Sequence, residues 1–145
     1  MINSNFIHIK KDFKYVVKER LYHNGSGEGE TEFVTATETA TGRVVGIKKI
    51  RCSQKNYNAY KGEIAVIMGL EPYVADIPTI YYHDYENGVL TVAMQYFKGD
   101  TLFEVMKREK NTIQEVSTVN RNIKRLQALA SILASVHRNK IQHKD

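Results

Sequence analysis

The chain has 145 residues, a net charge of +5 and a single cysteine, Cys52. This length allows one modest hydrophobic core or one lobe of a larger domain. There is no apolar run of about 18 residues and no signal-peptide pattern at the start, so we expect no membrane span. One cysteine cannot form an internal disulfide, which favours a reducing, cytoplasmic setting.

Basic residues gather near the N-terminus and again in the last quarter of the chain. Neither group has the dense stripe or the interleaved aromatic residues that are typical of nucleic-acid-binding surfaces. We favour a solvated helix face for the second group and expect no nucleic-acid partner.

The first half of the chain predicts strands after an N-terminal extension over residues 1–14. Residues 15–23, 31–39 and 43–50 are rich in β-branched and aromatic side chains, with partial or clear alternation. A tight-turn signal at residues 40–42 separates the second run from the third. These runs predict three consecutive antiparallel strands.

A helix and two further strands follow. Tyr57, Tyr60, Ile64, Ile67 and Met68 form a stripe at helical spacing, and Gly69 is a stop signal. Residues 76–85 and 89–97 are strand candidates, and the Asn-Gly pair between them is a strong hairpin signal.

After Gly99 the pattern becomes helical. Asp100 or Thr101 is a candidate N-cap for a short helix. A longer helix has an apolar stripe from Ile123 to Val136. Because strands come first and helices last, the order predicts an α+β fold.

Three features in the first half of the chain suggest a functional site. Residues 24–30 read NGSGEGE, and glycines let a backbone approach phosphate closely. An ordinary flexible hairpin loop is the favoured explanation of this segment taken alone, because the glutamates in and beside it are unfavourable neighbours for phosphate. Gly46 and Lys48 share one face of their strand, opposite Val45 and Ile47. A half-buried Lys48 needs an anionic partner, and Glu63 on the following helix is the candidate. Two unrelated surface charges are the alternative.

The order of a glycine-rich loop, a strand lysine and a helix glutamate resembles the eukaryotic-type serine/threonine protein kinases. Residues 89–102 look like the fifth strand and hinge of that family. Residues 129–145 look like the helix that leads into its catalytic loop, with His143-Lys144-Asp145 in place of His-Arg-Asp. Within the family, the chain most resembles the kinases that act as small-GTPase effectors (PAK-type).

The resemblance implies a kinase small lobe over residues 15–97, with a five-stranded antiparallel sheet and one helix. Residues 98–145 would then be the hinge exit and the first helices of the large lobe. The implied activity is phosphoryl transfer from ATP to protein hydroxyls. Exposure of the long helix also suggests self-association.

The resemblance also implies roles for individual residues. Lys48 would neutralise the α- and β-phosphates of ATP and be held by Glu63, while Asp145 would accept the proton of the substrate hydroxyl. Met94 stands at the gatekeeper position, and the backbones of Gln95 and Phe97 would bind the adenine edge. The remaining predicted nucleotide contacts are Leu21, Gly25, Gly27, Gly29, Val34 and Gly46.

Two departures from the family pattern weaken the predicted nucleotide site. The third glycine of the loop is missing in every register, and the valine that ends the motif is Phe33 or Val34, depending on that register. The magnesium ligands of the family would come after Asp145, so we expect this chain alone to transfer no phosphate and predict no metal site within it. The alternative is a degenerate kinase-like protein-interaction module with weak or no nucleotide binding.

Overall fold

The computed structural model describes residues 6–9, 13–109 and 116–139, with side chains over 13–109 and 119–139. Over these residues the fold is α+β, with one antiparallel sheet and three helices, as predicted. The strands run in the order β1-β2-β3-β4-β6-β5 across the sheet. They are β1 (Phe6–Ile9), β2 (Phe13–Asn24), β3 (Thr31–Glu38), β4 (Val44–Arg51), β5 (Ile80–Glu86) and β6 (Val89–Gln95).

The predicted meander and hairpin are both present. Strands β2, β3 and β4 are consecutive antiparallel neighbours. Asn87 (φ 51°) and Gly88 (φ 74°) form the turn between β5 and β6, and both lie in the left-handed region that an Asn-Gly hairpin requires. Strand β6 pairs with β4, so the chain crosses from β4 to the far edge of the sheet before it returns.

Within the described ranges the sheet has six strands, where the sequence predicted five. The additional strand, β1, lies within the predicted N-terminal extension and pairs with the start of β2. Strand β2 begins at Phe13, two residues earlier than expected. The short FIHI segment of β1 carries too few residues for its alternation to stand out from the surrounding sequence.

Apolar side chains on one face of the sheet form a core without a helix. Val34, Ala36, Val45, Ile47 and Ala93 are buried there. Across this face, the rings of Phe13 at the start of β2 and Tyr82 on β5 stack with centroids 5.6 Å apart. Since β2 and β5 are not neighbours in the sheet, this contact requires the sheet to curl strongly.

The opposite face is covered by α1 (Gln54–Leu70), which begins at the N-cap Ser53. The Ser53 hydroxyl accepts a hydrogen bond from the backbone N–H of Asn56, 3.3 Å away, and so stabilises the first turn. Ile64 is buried against Ile50, Leu90 and Val92 of the sheet. The predicted stripe of α1 is therefore confirmed as the face that packs on the sheet, apart from Met68, which is 44% exposed.

The chain divides into two compact units. The first comprises residues 1–71 and 77–96, and the second comprises residues 72–76 and 97–145. The second unit holds α2 (Leu102–Arg108) and α3 (Val116–Arg138). Thr101, one of the two predicted N-caps, starts α2 in a capping box with Glu104. None of the helices in the described part of the chain is long and apolar enough to cross a membrane.

Within the second unit, charged side chains link the two helices. Glu109, which ends α2, accepts hydrogen bonds from Arg125 Nη1 (2.6 Å) and Nη2 (3.2 Å) of α3. This two-point contact lowers the pKa of the Glu109 carboxyl, chiefly through the hydrogen bond from Arg125. Arg125, one of the clustered basic residues of α3, therefore has its partner within the protein itself.

Candidate functional site

The strand register gathers three of the predicted site residues on one face. In β4, Gly46 and Lys48 alternate with the buried Val45 and Ile47, as the sequence predicted. Gly46 pairs with Met94 of β6, so the predicted gatekeeper lies beside it on the same face. Helix α1 packs on this face as well. Gly46, Lys48 and Met94 thus form the centre of the candidate site.

Val34 lies on the other face of the sheet. It pairs with Ile47 and is buried in the helix-free core, so the structure does not bring it to the candidate site. Its neighbour Phe33 pairs with Lys48 instead. The two registers that the sequence left open differ by one residue, and a shift of one residue exchanges the faces of a strand. The structure selects Phe33 for this face.

Phe33 covers Gly46. A β-carbon built on Gly46 would lie 2.7 Å from Phe33 Cζ and 3.1 Å from Phe33 Cε2, distances at which atoms clash. The Phe33 ring also stacks on Tyr22 of β2, with centroids 5.7 Å apart and an angle of 21° between the planes. Glycine at position 46 is therefore what allows the Phe33 ring to lie against β4.

Lys48 and Glu63 are not joined. In the described part of the chain, neither a hydrogen bond nor an ion pair connects them, and Glu63 is exposed on α1. Ile64 supplies the buried contact to the sheet, which leaves Glu63 at the edge of the packed stripe. The structure therefore does not form the predicted pair.

The neighbouring lysine has different surroundings. Lys49 lies on the opposite face of β4 and pairs with Glu32 and Thr91. Burial lowers the pKa of the Lys49 ammonium, and the nearby negative charge of Glu32 opposes that effect. Lys48 and Lys49 carry the same charge on opposite faces of β4. A substitution at Lys49 is therefore a matched control for the same substitution at Lys48.

The glycine-rich loop between β2 and β3 has an alternating backbone. Gly25, Gly27 and Gly29 have φ angles of 76°, 68° and 83°, a region that other residues seldom adopt. The Gly29 N–H donates to the carbonyl oxygen of Arg51 at 2.7 Å, and the Arg51 N–H donates to Glu30 O at 2.8 Å. The loop is therefore bonded to the end of β4.

Glu28 in this loop contacts the start of α1. Its Oε1 accepts a hydrogen bond from the Ser53 N–H at 3.1 Å and another from Asn56 Nδ2 at 2.5 Å. These bonds favour the charged carboxylate and lower the pKa of Glu28, with the Ser53 contact contributing most. Glu28 thereby stabilises the N-terminal end of the helix that carries Glu63.

The other two glutamates near the loop also have partners. Glu30 Oε1 lies 2.8 Å from His23 Nε2, and Glu30 Oε2 accepts from Arg51 Nε at 3.0 Å. These contacts lower the pKa of the Glu30 carboxyl, that from His23 most strongly. Glu32 accepts from Arg20 Nε at 2.8 Å. The sequence indicated that these charges are unfavourable for phosphate, and the structure neutralises them with contacts inside the protein.

Four of the predicted site residues remain: Leu21, Gln95, Phe97 and Asp145. Leu21 is in a bulge of β2, between Arg20 and Tyr22, and is 40% exposed. The Gln95 N–H donates to Thr79 O at 2.8 Å, so a contact from its backbone to a base would fall to its carbonyl oxygen. Phe97 belongs to the second unit. Asp145 and the rest of the predicted catalytic motif lie outside the described residues.

No protein-family model matches the chain, and no curated protein is similar enough to be matched with it. The candidate site itself consists of a lysine, a covered glycine and a methionine on one face of a sheet, next to a glycine-rich loop. Sequence reasoning missed the part played by Phe33 in this site. Its one available signal was glycine at position 46, where the resemblance expects alanine.

Proposed function

We propose that the first unit is the nucleotide-binding small lobe of a kinase-like domain, in which Lys48 binds the phosphates of ATP. The observation that carries this proposal is the position of Gly46, Lys48 and Met94 on one sheet face, with α1 packed against that face. The positive φ angles of Gly25, Gly27 and Gly29 in the glycine loop support it as well, because such backbone conformations can turn N–H groups toward an anion. The parent reaction is then phosphoryl transfer to a protein hydroxyl, with Mg²⁺ as the accompanying ion.

Two further roles depend on the resemblance alone. Glu63 would hold the Lys48 ammonium once α1 is repositioned, as the lysine–glutamate pair does in active protein kinases. Asp145 would orient the hydroxyl and accept its proton. The separation of Lys48 from Glu63 in this structure corresponds, in this proposal, to a state that is not assembled for catalysis.

The test is a thermal-unfolding titration of the chain with ATP and Mg²⁺. A ligand that binds only the folded protein stabilises it by about 2.7 kcal/mol at a concentration 100 times its Kd. We expect Lys48→Ala to abolish this stabilisation. Lys49→Ala removes the same charge from the opposite face and should retain it. Equal loss in both variants, or retention in both, would contradict the role of Lys48.

The second candidate function is a protein-interaction module that binds no nucleotide. The contacts of Glu28, Glu30 and Glu32 favour it, because they hold the loop in place without a phosphate. In this case ATP with Mg²⁺ produces no thermal shift in the unmodified chain, and the Lys48→Ala variant behaves identically.

A further inference from the structure

The surface of Gly46 is covered from two sides. Phe33 approaches from β3, and Met94 approaches from β6, with its Cγ 3.7 Å from the position of a β-carbon on Gly46. Carbon atoms in contact are about 3.5–4.0 Å apart, so no flat ring fits between Phe33 and the backbone of β4. A nucleotide base cannot lie against Gly46 while Phe33 holds this position.

The Phe33 ring is held by a second aromatic residue. Tyr22 stacks on it from β2, and such a pair stabilises the ring beyond the area that it buries. Phe33 is only half-buried, so its ring has space to rotate away from β4 once that stacking is lost. The ring that covers Gly46 thus belongs to a half-buried side chain that can rotate away, and it is not part of the closed core.

Lys48 is not covered in the same way. It is half-buried, and its ammonium has no hydrogen bond or ion pair to any residue in the described part of the chain. An ammonium in these surroundings attracts an anion, and a phosphate group supplies one. The phosphate end of the candidate site therefore remains able to bind while the base end is closed.

We propose that Phe33 closes the base subsite, so that the resting protein binds the triphosphate group of a nucleotide through Lys48 without a contact to the base. The base can bind against Gly46 only when the Phe33 ring has moved away from it. This inference rests on the proposed function and adds to it the residue that determines base selectivity. Any ligand with the same polyphosphate chemistry competes with ATP in the closed state.

The experiment is isothermal titration calorimetry of the whole chain with ATP and with inorganic triphosphate. For the unmodified protein we expect Kd values for the two ligands within about threefold of each other, a difference below 1 kcal/mol. Phe33→Val should bind ATP roughly tenfold more tightly, as for other changes in an apolar pocket, with triphosphate binding unchanged. Tyr22→Leu releases the stacking and should give a smaller gain for ATP.

The control is Phe103→Val, which removes an equally large ring at a position in α2 that is 76% exposed. It should leave both affinities unchanged. If Phe33→Val fails to fold, Phe33→Leu and Tyr22→Leu supply the same comparison. A tenfold preference for ATP in the unmodified protein, with no gain in the variants, would overturn the role of Phe33 and leave the proposed function intact. Absence of binding by either ligand to any folded variant would overturn both.

Discussion

The ring of Phe33 lies over Gly46 so closely that a β-carbon on Gly46 would be 2.7 Å from Phe33 Cζ. Phe33 Cζ is at the end of its side chain, but the ring stacks on Tyr22, so moving the ring away from Gly46 costs free energy. Gly46→Ala should therefore destabilise the fold by about 1 to 3 kcal/mol, the usual range for overpacking. Urea unfolding measures this directly.

A second glycine provides the control. Gly62 lies within α1, and a β-carbon there would have nothing within 4 Å. Gly62→Ala should stabilise the protein by about 0.5–1 kcal/mol, because alanine is the better helix former. Adding Phe33→Ala to Gly46→Ala should remove most of the cost of the alanine at position 46. Additive effects in that double variant would contradict the clash.

Removal of the hydroxyl group should raise the free energy of unfolding at Tyr15 and lower it at Tyr85. Tyr15 is fully buried, burial raises the pKa of its hydroxyl, and its oxygen has no hydrogen-bond partner within the described residues. Tyr15→Phe should stabilise the protein by about 1 kcal/mol, since an unsatisfied buried group is removed. The Tyr85 hydroxyl donates to Cys52 O at 2.8 Å, so Tyr85→Phe should cost about 1 kcal/mol.

These two variants are matched in size and chemistry, and thermal or urea unfolding compares them directly. Tyr85 also stacks on Tyr57, with centroids 4.3 Å apart, and phenylalanine retains that stacking. The measured loss in Tyr85→Phe is thereby confined to the hydrogen bond. A loss of stability in Tyr15→Phe would indicate a partner for its hydroxyl.

The contact between Glu28 and α1 should depend on pH. The pKa of Glu28 is lowered from its ordinary value of 4.5 by its bonds to Ser53 and Asn56. The contact therefore stabilises the fold fully above pH 4.5 and is lost as the pH falls through the lowered pKa. The NMR shift of the Ser53 amide proton reports this, and we expect its midpoint below 4.5.

The control for this titration is Glu28→Gln. The glutamine keeps an oxygen that can accept the Ser53 N–H but has no proton to gain over the acidic range. The transition at Ser53 should disappear in this variant. A midpoint at or above 4.5 in the unmodified chain would show that the bonds do not favour the charged form.

Helix α3 should mediate self-association, as its sequence suggested. Ile123, Leu126 and Leu129 recur at helical spacing and are exposed, Leu126 to 63%. An apolar stripe of this kind favours contact with a second copy. Sedimentation velocity should show larger species as the concentration rises, and Leu126→Glu should reduce them. Ala128→Glu, which places the same charge on a different side of α3, should leave them unchanged, and a monomer at all concentrations would contradict the prediction.

Local patterns in the sequence were sufficient to predict most elements of this fold. Alternation placed Gly46 and Lys48 on one face of β4, because side chains alternate within any strand. The Asn-Gly turn and the apolar stripe of α1 were also predictable from local sequence, because each depends on residues that are close together in the chain. Strand β1 was missed because its four residues show too short a pattern.

Contacts between distant segments decided the candidate site. Whether Phe33 or Val34 faces Lys48 depends on how β3 pairs with β4, and adjacent residues in a strand always point to opposite faces. The bonds from Glu28 to Ser53 and Asn56 span 25 and 28 residues of sequence. Sequence alone thus determined which side chains share a strand or a helix face. Only the tertiary structure determined that Phe33 covers Gly46 and that Lys48 and Glu63 remain apart, because strand register and helix docking are set by packing across the whole sheet.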